Sequence, residues 1–188
     1  MKNKPVIVGI GELLWDMLPS GKKAGGAPVN FVYHASLLGA ESYAISAIGK
    51  DALGDEILQE LDKIKLSYFI ERVDYPTGTV LVQLKEGIPN YTIIENVAWD
   101  YIPATDEVKQ LARRTDAICF GTLAQRSVVS RSTIHEILSL VPQSAYRILD
   151  INIRQHFYSK QIIEESLRLC NVFKMNDDEL ELLREMFP

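Results

Sequence analysis

The chain has 188 residues, 47% hydrophobic and 24% charged, the range of a globular protein with one good core rather than a disordered segment. Its formal charge of −5 argues against a general nucleic-acid or membrane-surface binder, either of which needs a basic face. No stretch reads as long enough to span a membrane, and Met1-Lys2-Asn3-Lys4-Pro5 leads straight into a short strand rather than a signal sequence, so the chain is read as cytoplasmic.

Residues 6–10 form a short apolar run ending in Gly11-Glu12, the pattern of a buried strand. Residues 12–23 are mixed, with Pro19-Ser20-Gly21 marking a turn. Gly25-Gly26-Ala27-Pro28-Val29-Asn30 follows. The two glycines let a ligand approach the backbone, and Pro28 suits the first turn of a helix. Asn30 falls inside that turn, so its amide can reach back toward whatever the glycines admit. A glycine turn feeding a helix N-terminus suits polar or anionic ligands; an ordinary loop before an ordinary helix has the same pattern. The helix is expected over 29–38, with Phe31, Ala35 and Leu38 on one stripe and Gly39 as its stop.

A strand over 42–48 and a helix over 54–65 come next, the latter with Ile57, Leu58, Leu61 and Ile64 at helical spacing. The pattern then changes. Residues 77–84 and 91–96 are strand-like, separated by the turn-forming Lys85-Glu86-Gly87-Ile88-Pro89-Asn90, which predicts a hairpin inserted into the alternation. After Pro103 strand and helix alternate again: helix 105–114, capped by Thr105 or Asp106, strand 116–121, helix 130–141, strand 147–152, helix 159–169, strand 171–175 and helix 177–186. Cys119 and Cys170 adjoin apolar runs and read as small buried hydrophobes. Such alternation predicts an α/β fold, three-layer α/β/α around a mainly parallel sheet, with a small β lid. Its ligand belongs outside the carboxyl ends of the strands. Glu12, the loop after Ile48, Thr122, the set Asp150, Asn152 and Arg154, and the pair Asn176 and Glu179 all fall there.

Several motifs are absent. Gly9-Ile10-Gly11 opens like a dinucleotide fingerprint, but Leu14 stands where the third glycine belongs. There is no Walker-type phosphate loop and no Gly-x-Ser-x-Gly elbow, and His34, His135 and His156 lack metal-ligand spacing.

The order of what is present resembles the PfkB, or ribokinase-like, family of sugar kinases, fructokinases above all. The resemblance runs through Gly9–Asp16, the diglycine segment to Asn30, and Ile48-Gly49-Lys50-Asp51-Ala52-Leu53-Gly54-Asp55. It continues through the β insert, Asp150-Ile151-Asn152-Ile153-Arg154 and Lys174-Met175-Asn176-Asp177-Asp178-Glu179. It implies a partial ribokinase-like domain over 1–188, with a β lid from about 12–24 and 68–102 inserted and the C-terminal nucleotide-binding part expected outside these residues. It also implies an ATP- and Mg2+-dependent phosphoryl transfer to a hydroxyl of a small, fructose-like sugar. By the resemblance Asp16, Gly25, Gly26, Asn30, Asn96 and Arg154 bind the sugar; Lys174, Asn176 and Glu179 serve ATP, with Glu179 acting on the metal indirectly through water. Arg154 could equally form a surface salt bridge, and Asn176 a plain N-cap. Tyr91, Asn96 and Trp99 could meet the sugar or pack a small core. The family's Gly-Ala-Gly-Asp segment, which supplies the aspartate base, is not among these residues. The base is thus expected beyond residue 188, and no catalytic residue within the chain. The implied partners are sugar and ATP, with no nucleic acid or membrane, and a homodimer through the lid. A non-catalytic sugar-binding module and a nucleoside kinase of the same fold are the alternatives.

Overall fold

β1 (Val6–Ile10) reads as a continuous apolar run because both of its faces are covered. In the computed structural model, which describes residues 4–85 and 88–187 (and only the backbone of 82–85 and 88–90), it stands inside a six-stranded sheet. After it come β2 (Leu14–Leu18), β3 (Gly21–Gly25), α1 (Ala27–Leu37), β4 (Glu41–Gly49), α2 (Ala52–Lys63) and β5 (Ser67–Val73). The chain continues with β6 (Gly78–Lys85), β7 (Ile88–Ile93), α3 (Asp106–Ala112), β8 (Ala117–Gly121) and α4 (Val128–Leu140). It closes with β9 (Tyr146–Asp150), α5 (Lys160–Leu169), β10 (Val172–Lys174) and α6 (Asp177–Met186).

The large sheet has the order β10-β9-β8-β1-β4-β5, with every neighbouring pair parallel. Alternate residues of each strand serve opposite faces. Val6, Val8 and Ile10 join Val108 and Leu111 of α3 and Ile134 and Ile137 of α4. Ala44 and Ile48 join Val29 and Val32 of α1 and Ile57 and Leu61 of α2 on the other side. The result is the three-layer α/β/α architecture expected from the alternation. A second sheet has the order β3-β2-β6-β7, mixed in direction: β2 runs parallel to β6, and the two outer pairs are antiparallel. Among the described residues no helix is long and apolar enough to cross a membrane.

Three expectations need correction. The segment 67–73 is an edge strand of the large sheet, paired in parallel with β4, so the small sheet does not begin at 68. None of its residues is fully buried, which leaves no clean alternation to read. In α1 the buried residues are Pro28, Val29 and Val32, whereas Leu38 is 90% exposed, so the stripe does not run to the helix end. Cys119 is buried but Cys170 only half so. The turn residues Glu86 and Gly87 lie outside the described residues.

The reason for the α1 geometry lies in β1. A Cβ on Gly9 would stand 2.2 Å from the Pro28 carbonyl oxygen, so the bare Gly9 lets the first turn of α1 rest on the strand. The helix is seated by its N-terminal turn, and its far end lies out in solvent.

The exit of the β6–β7 hairpin is tied to the body by one buried ion pair. Arg126 Nε and Nη2 donate to the Asp100 carboxylate at 2.8 and 2.9 Å, and Nη2 also donates to the Ile94 carbonyl at 2.7 Å. The guanidinium carbon lies 4.0 Å from the Trp99 ring centroid and 4.5 Å from that of Phe157. Removing one member of such a pair strands the other charge without its partner. Arg126→Ala is expected to lose about 3–5 kcal/mol of stability in urea unfolding, well above the median surface pair. A loss under about 1 kcal/mol would show that the clamp does not hold the hairpin root.

Candidate functional site

The chain leaves β1 for β4 and β5 on one side, then returns to build β8, β9 and β10 on the other. The order therefore reverses between β1 and β8, and α/β sheets open a crevice at such a switch point. A cleft of about 740 Å³ lies there. Glu12 enters it from the end of β1, Leu123 from the segment after β8, and Asn152, Ile153, Arg154 and Gln155 from the loop after β9. The small sheet supplies another wall with Leu14 and Asp16 of β2, Lys23 and Ala24 of β3, Val80 of β6, and Tyr91 and Ile93 of β7. Gly25, Gly26, Ala27 and Asn30 complete it at the start of α1.

The diglycine turn is shaped from beneath. Gly26 has φ +129, and a Cβ there would stand 2.1 Å from the Glu12 carbonyl oxygen. A Cβ on Gly25 would stand 2.8 Å from Asp16 Oδ2, so the missing side chain leaves room for that carboxylate. Burial pushes the Asp16 carboxyl above its ordinary value, with Lys23 and Arg154 acting in the opposite sense. Asn30 is exposed one turn into α1, and its backbone N–H donates to Gly26 O at 2.9 Å.

Asp16, Gly25, Gly26, Asn30 and Arg154 are thus brought to one cleft. Asn96 is not among them. It has φ +54 and lines a second cavity of about 370 Å³ with Glu95, Asp100, Tyr101, Arg126 and His156. Of its aromatic neighbours, Tyr91 reaches the first cleft, whereas Trp99 is fully buried in the main core. Thr122 is also spent elsewhere: its hydroxyl donates to Ile151 O at 2.7 Å. Asp51 anchors the segment after β4, accepting from Gly54 N, Thr77 N and Thr77 Oγ1 at 2.8, 2.8 and 2.6 Å.

Lys174, Asn176 and Glu179 line neither of these cavities. Asn176 Oδ1 accepts from Glu179 N at 2.8 Å, and Glu179 Oε2 accepts from Asn176 N at 2.8 Å, a capping box at the start of α6. Glu179 Oε1 accepts from Ile153 N at 2.9 Å. Lys174 Nζ lies 2.9 Å from Asp150 Oδ1. Among the described residues no three His, Cys, Asp or Glu side chains are grouped to hold a metal.

Glu12 was named by its position at a strand end without a specific role. It is 2% exposed, and its Oε1 accepts from Ala27 N at 3.1 Å. Among the described residues its buried Oε2 has no hydrogen-bond partner. Burial pushes this carboxyl up to about 7; the backbone amides of Glu12 itself and of Ala27, and the Arg154 charge, act to lower it and Asp150 to raise it.

Comparison with known proteins agrees with this fold. The family described as pfkB family carbohydrate kinase matches residues 20–187, and the chain belongs to that family. A sugar kinase of Pyrococcus horikoshii, described as uncharacterized, is 27% identical over 194 residues, covering 93% of this chain and 63% of its own. Its crystal structure superposes with a TM-score of 0.86 over 96% of this chain and 66% of that one. The fructokinase of Salmonella typhimurium is 25% identical, covering 91% of this chain and 60% of its own. A fructokinase of Xylella fastidiosa solved with bound ATP shares the fold, with a TM-score of 0.85 at 19% identity over 97% of this chain and 64% of that one. The chain thus spans between 60% and 66% of the length of these relatives.

The raised Glu12 carboxyl fixes the sign of a pH effect. The folded chain holds this proton more tightly than the unfolded one, whose value is near 4.5. The stability it contributes is complete below about 4.5 and is lost as the pH rises through about 7. Glu12→Gln removes the ionisation, so its stability relative to the unsubstituted chain is expected to climb by up to about 3 kcal/mol across that window. Urea unfolding of both chains at a series of pH values checks this; a difference that does not vary with pH would refute it.

Proposed function

We propose that the cleft binds a small, fructose-like sugar and that the chain serves ATP-dependent transfer of a phosphoryl group to one of that sugar's hydroxyls. The observation that carries the reading is the gathering of Asp16, the bare Gly25 and Gly26, Asn30 and Arg154 from separate segments into one cleft at the sheet's switch point. A sugar presents hydroxyls that both donate and accept. Asp16 can accept from two of them, and Asn30 can do both. The cleft holds charged side chains of both signs, Glu12 and Asp16 beside Lys23 and Arg154. The small sheet supports the reading by walling the cleft from above, where it would exclude water from a bound ligand.

ATP would supply the phosphoryl group. Arg154 is exposed at the cleft, where a cation could stabilise charge on that group. The capping pair Asn176 and Glu179 would act at the phosphate end through water, with the Glu179 carboxylate held in place by the backbone N–H groups of Ile153 and Asn176. The Gly-Ala-Gly-Asp segment that carries the family's aspartate base is not in these 188 residues. On this reading they recognise the sugar, and a group they do not supply takes the hydroxyl proton. A homodimer through the small sheet belongs to the same proposal, supported by exposed Leu18, Leu81 and Tyr91.

Calorimetric titration of the chain with fructose and a panel of other neutral hexoses and pentoses tests the sugar assignment. Asp16→Asn is expected to weaken the best ligand by about tenfold or more, as for loss of a charged hydrogen bond. Binding without turnover of sugar and ATP is the expected result for these 188 residues. A chain that takes none of the panel, or an Asp16→Asn chain that binds as tightly, would overturn the reading.

A further inference from the structure

The loop that brings Arg154 to the cleft is anchored at both ends and strained between them. At its start, Ile151 N donates to Lys174 O at 3.1 Å and Ile151 O accepts from Thr122 Oγ1 at 2.7 Å. At its far end, Arg154 O accepts from Phe157 N at 3.1 Å, and Phe157 is buried in the main core. Asn152 and Gln155 have φ of +40 and +48, the left-handed region that a non-glycine residue keeps only where its surroundings impose it. Within 152–155 the one backbone N–H with a partner, among the described residues, is that of Ile153, which donates to Glu179 Oε1 at 2.9 Å. The Ile153 carbonyl in turn accepts from Arg154 Nη1 at 3.0 Å, among the described residues the one hydrogen bond that the guanidinium makes. A chain of contacts therefore runs from a buried carboxylate of α6, through a single residue, to an exposed cation at the cleft. The capping box of α6 uses Glu179 Oε2 and leaves the Oε1 bond unexplained.

We propose that Glu179 is a positioning residue for the sugar, holding Arg154 at the cleft through Ile153. The inference rests on the sugar reading above and gives a sugar-side role to a residue otherwise assigned to the phosphate end. Glu179 does not line the cleft, so it acts there only through the loop. Its carboxylate is purely an acceptor, matched to two N–H groups at once, and a charged acceptor makes the stronger kind of hydrogen bond. Without Oε1 the Ile153 amide turns to water, and the left-handed residues beside it relax toward commoner conformations. Arg154 then faces the cleft in only part of the population, and the apparent sugar affinity falls by that fraction.

Titration calorimetry of the 188-residue chain with fructose, or with another neutral hexose or pentose of the panel if fructose is not taken, reads the affinity. Glu179→Ala is expected to weaken it about fivefold or more. This variant also breaks the α6 capping box, so its unfolding midpoint falls as well. Thr105→Ala removes the N-cap of α3, lines no part of the cleft, and serves as the matched control. It is expected to lower the midpoint and leave the affinity within about twofold. In an Arg154→Ala background, Glu179→Ala is expected to weaken binding by no more than about twofold further, because the residue through which it acts is gone. Should Arg154→Ala bind nothing measurable, the comparison of Glu179→Ala with Thr105→Ala decides alone. A Glu179→Ala chain that binds as tightly as the unsubstituted one would overturn the role of Glu179 and leave the sugar reading intact. So would an undiminished loss in the Arg154→Ala background, or an equal loss in Thr105→Ala, which would show affinity merely following stability. If Glu179→Ala does not fold, Glu179→Gln, which keeps one carbonyl oxygen for the two N–H groups, is held to the same outcomes. A chain that binds no sugar at all overturns the parent reading and this inference with it.

Discussion

Everything at the cleft depends on how closely the first turn of α1 is pressed onto the end of β1. Three backbone contacts define that junction: Gly9 under the Pro28 carbonyl, Gly26 against the Glu12 carbonyl, and the Ala27 amide on Glu12 Oε1. Two of them exist only where a side chain is missing. The third places a buried carboxyl at the end of a helix whose exposed amides carry partial positive charge. Moving the helix outward would open the diglycine turn, release Glu12 from its one partner, and carry Asn30 away from Asp16's wall. The site is therefore a property of the strand–helix junction as much as of the residues that line it.

The two sheets contribute differently. The large one is parallel and has apolar clusters on both faces, which suits a rigid floor. The small one is held at the root of its β6–β7 hairpin by two carboxylates from outside the hairpin. At the entry, Asp51 caps α2 and binds the amide and hydroxyl of Thr77. At the exit, Arg126 joins the Ile94 carbonyl to Asp100. Burial works to raise the Asp51 carboxyl, but the Thr77 hydroxyl, the Thr77 amide and the Gly54 amide together hold it below its ordinary value. The segment after β4, part of the family resemblance, thus contributes here by fixing where the cleft's upper wall starts.

Much of this was legible in the residue pattern, and the misses share a physical cause. Strands buried on both faces and helices with one apolar face announced themselves, as β1, β8 and α2 did. β5 did not, because an edge strand with no fully buried residue has no fixed alternation. The stripe assigned to α1 assumed a helix lying along the sheet; Gly9 instead lets its first turn drop onto β1, burying Pro28, Val29 and Val32. Gly25 and Gly26 stand where β3 gives way to α1 and Arg154 lies in the loop after β9, whereas Asp16 enters the cleft from the middle of β2. Asn96 is a sugar-binding candidate by the resemblance, but it has a left-handed backbone just before the turn at Ala98–Tyr101 and lines the neighbouring cavity. The pairing of Arg126 with Asp100, 26 residues apart, leaves no mark in a single sequence.

The Asn176-x-x-Glu179 pattern shows how one arrangement can serve two purposes. By spacing alone it reads as a capping box, and that is the geometry it adopts. Yet Glu179 also accepts from the Ile153 amide, inside the loop that carries Asn152, Arg154 and Gln155 to the cleft. Asn152 and Gln155 both hold positive φ, at 40 and 48, conformations that non-glycine residues keep only where neighbours impose them. Ile153, between them, is the residue that Glu179 fixes, and Gln155 reaches across to the Tyr91 carbonyl on β7. A displacement of Glu179 at the start of α6 would thus be felt first in the Arg154 loop. The physical connection between the α6 end of the sheet and the cleft is therefore short: one carboxylate, one amide and a strained loop of four residues.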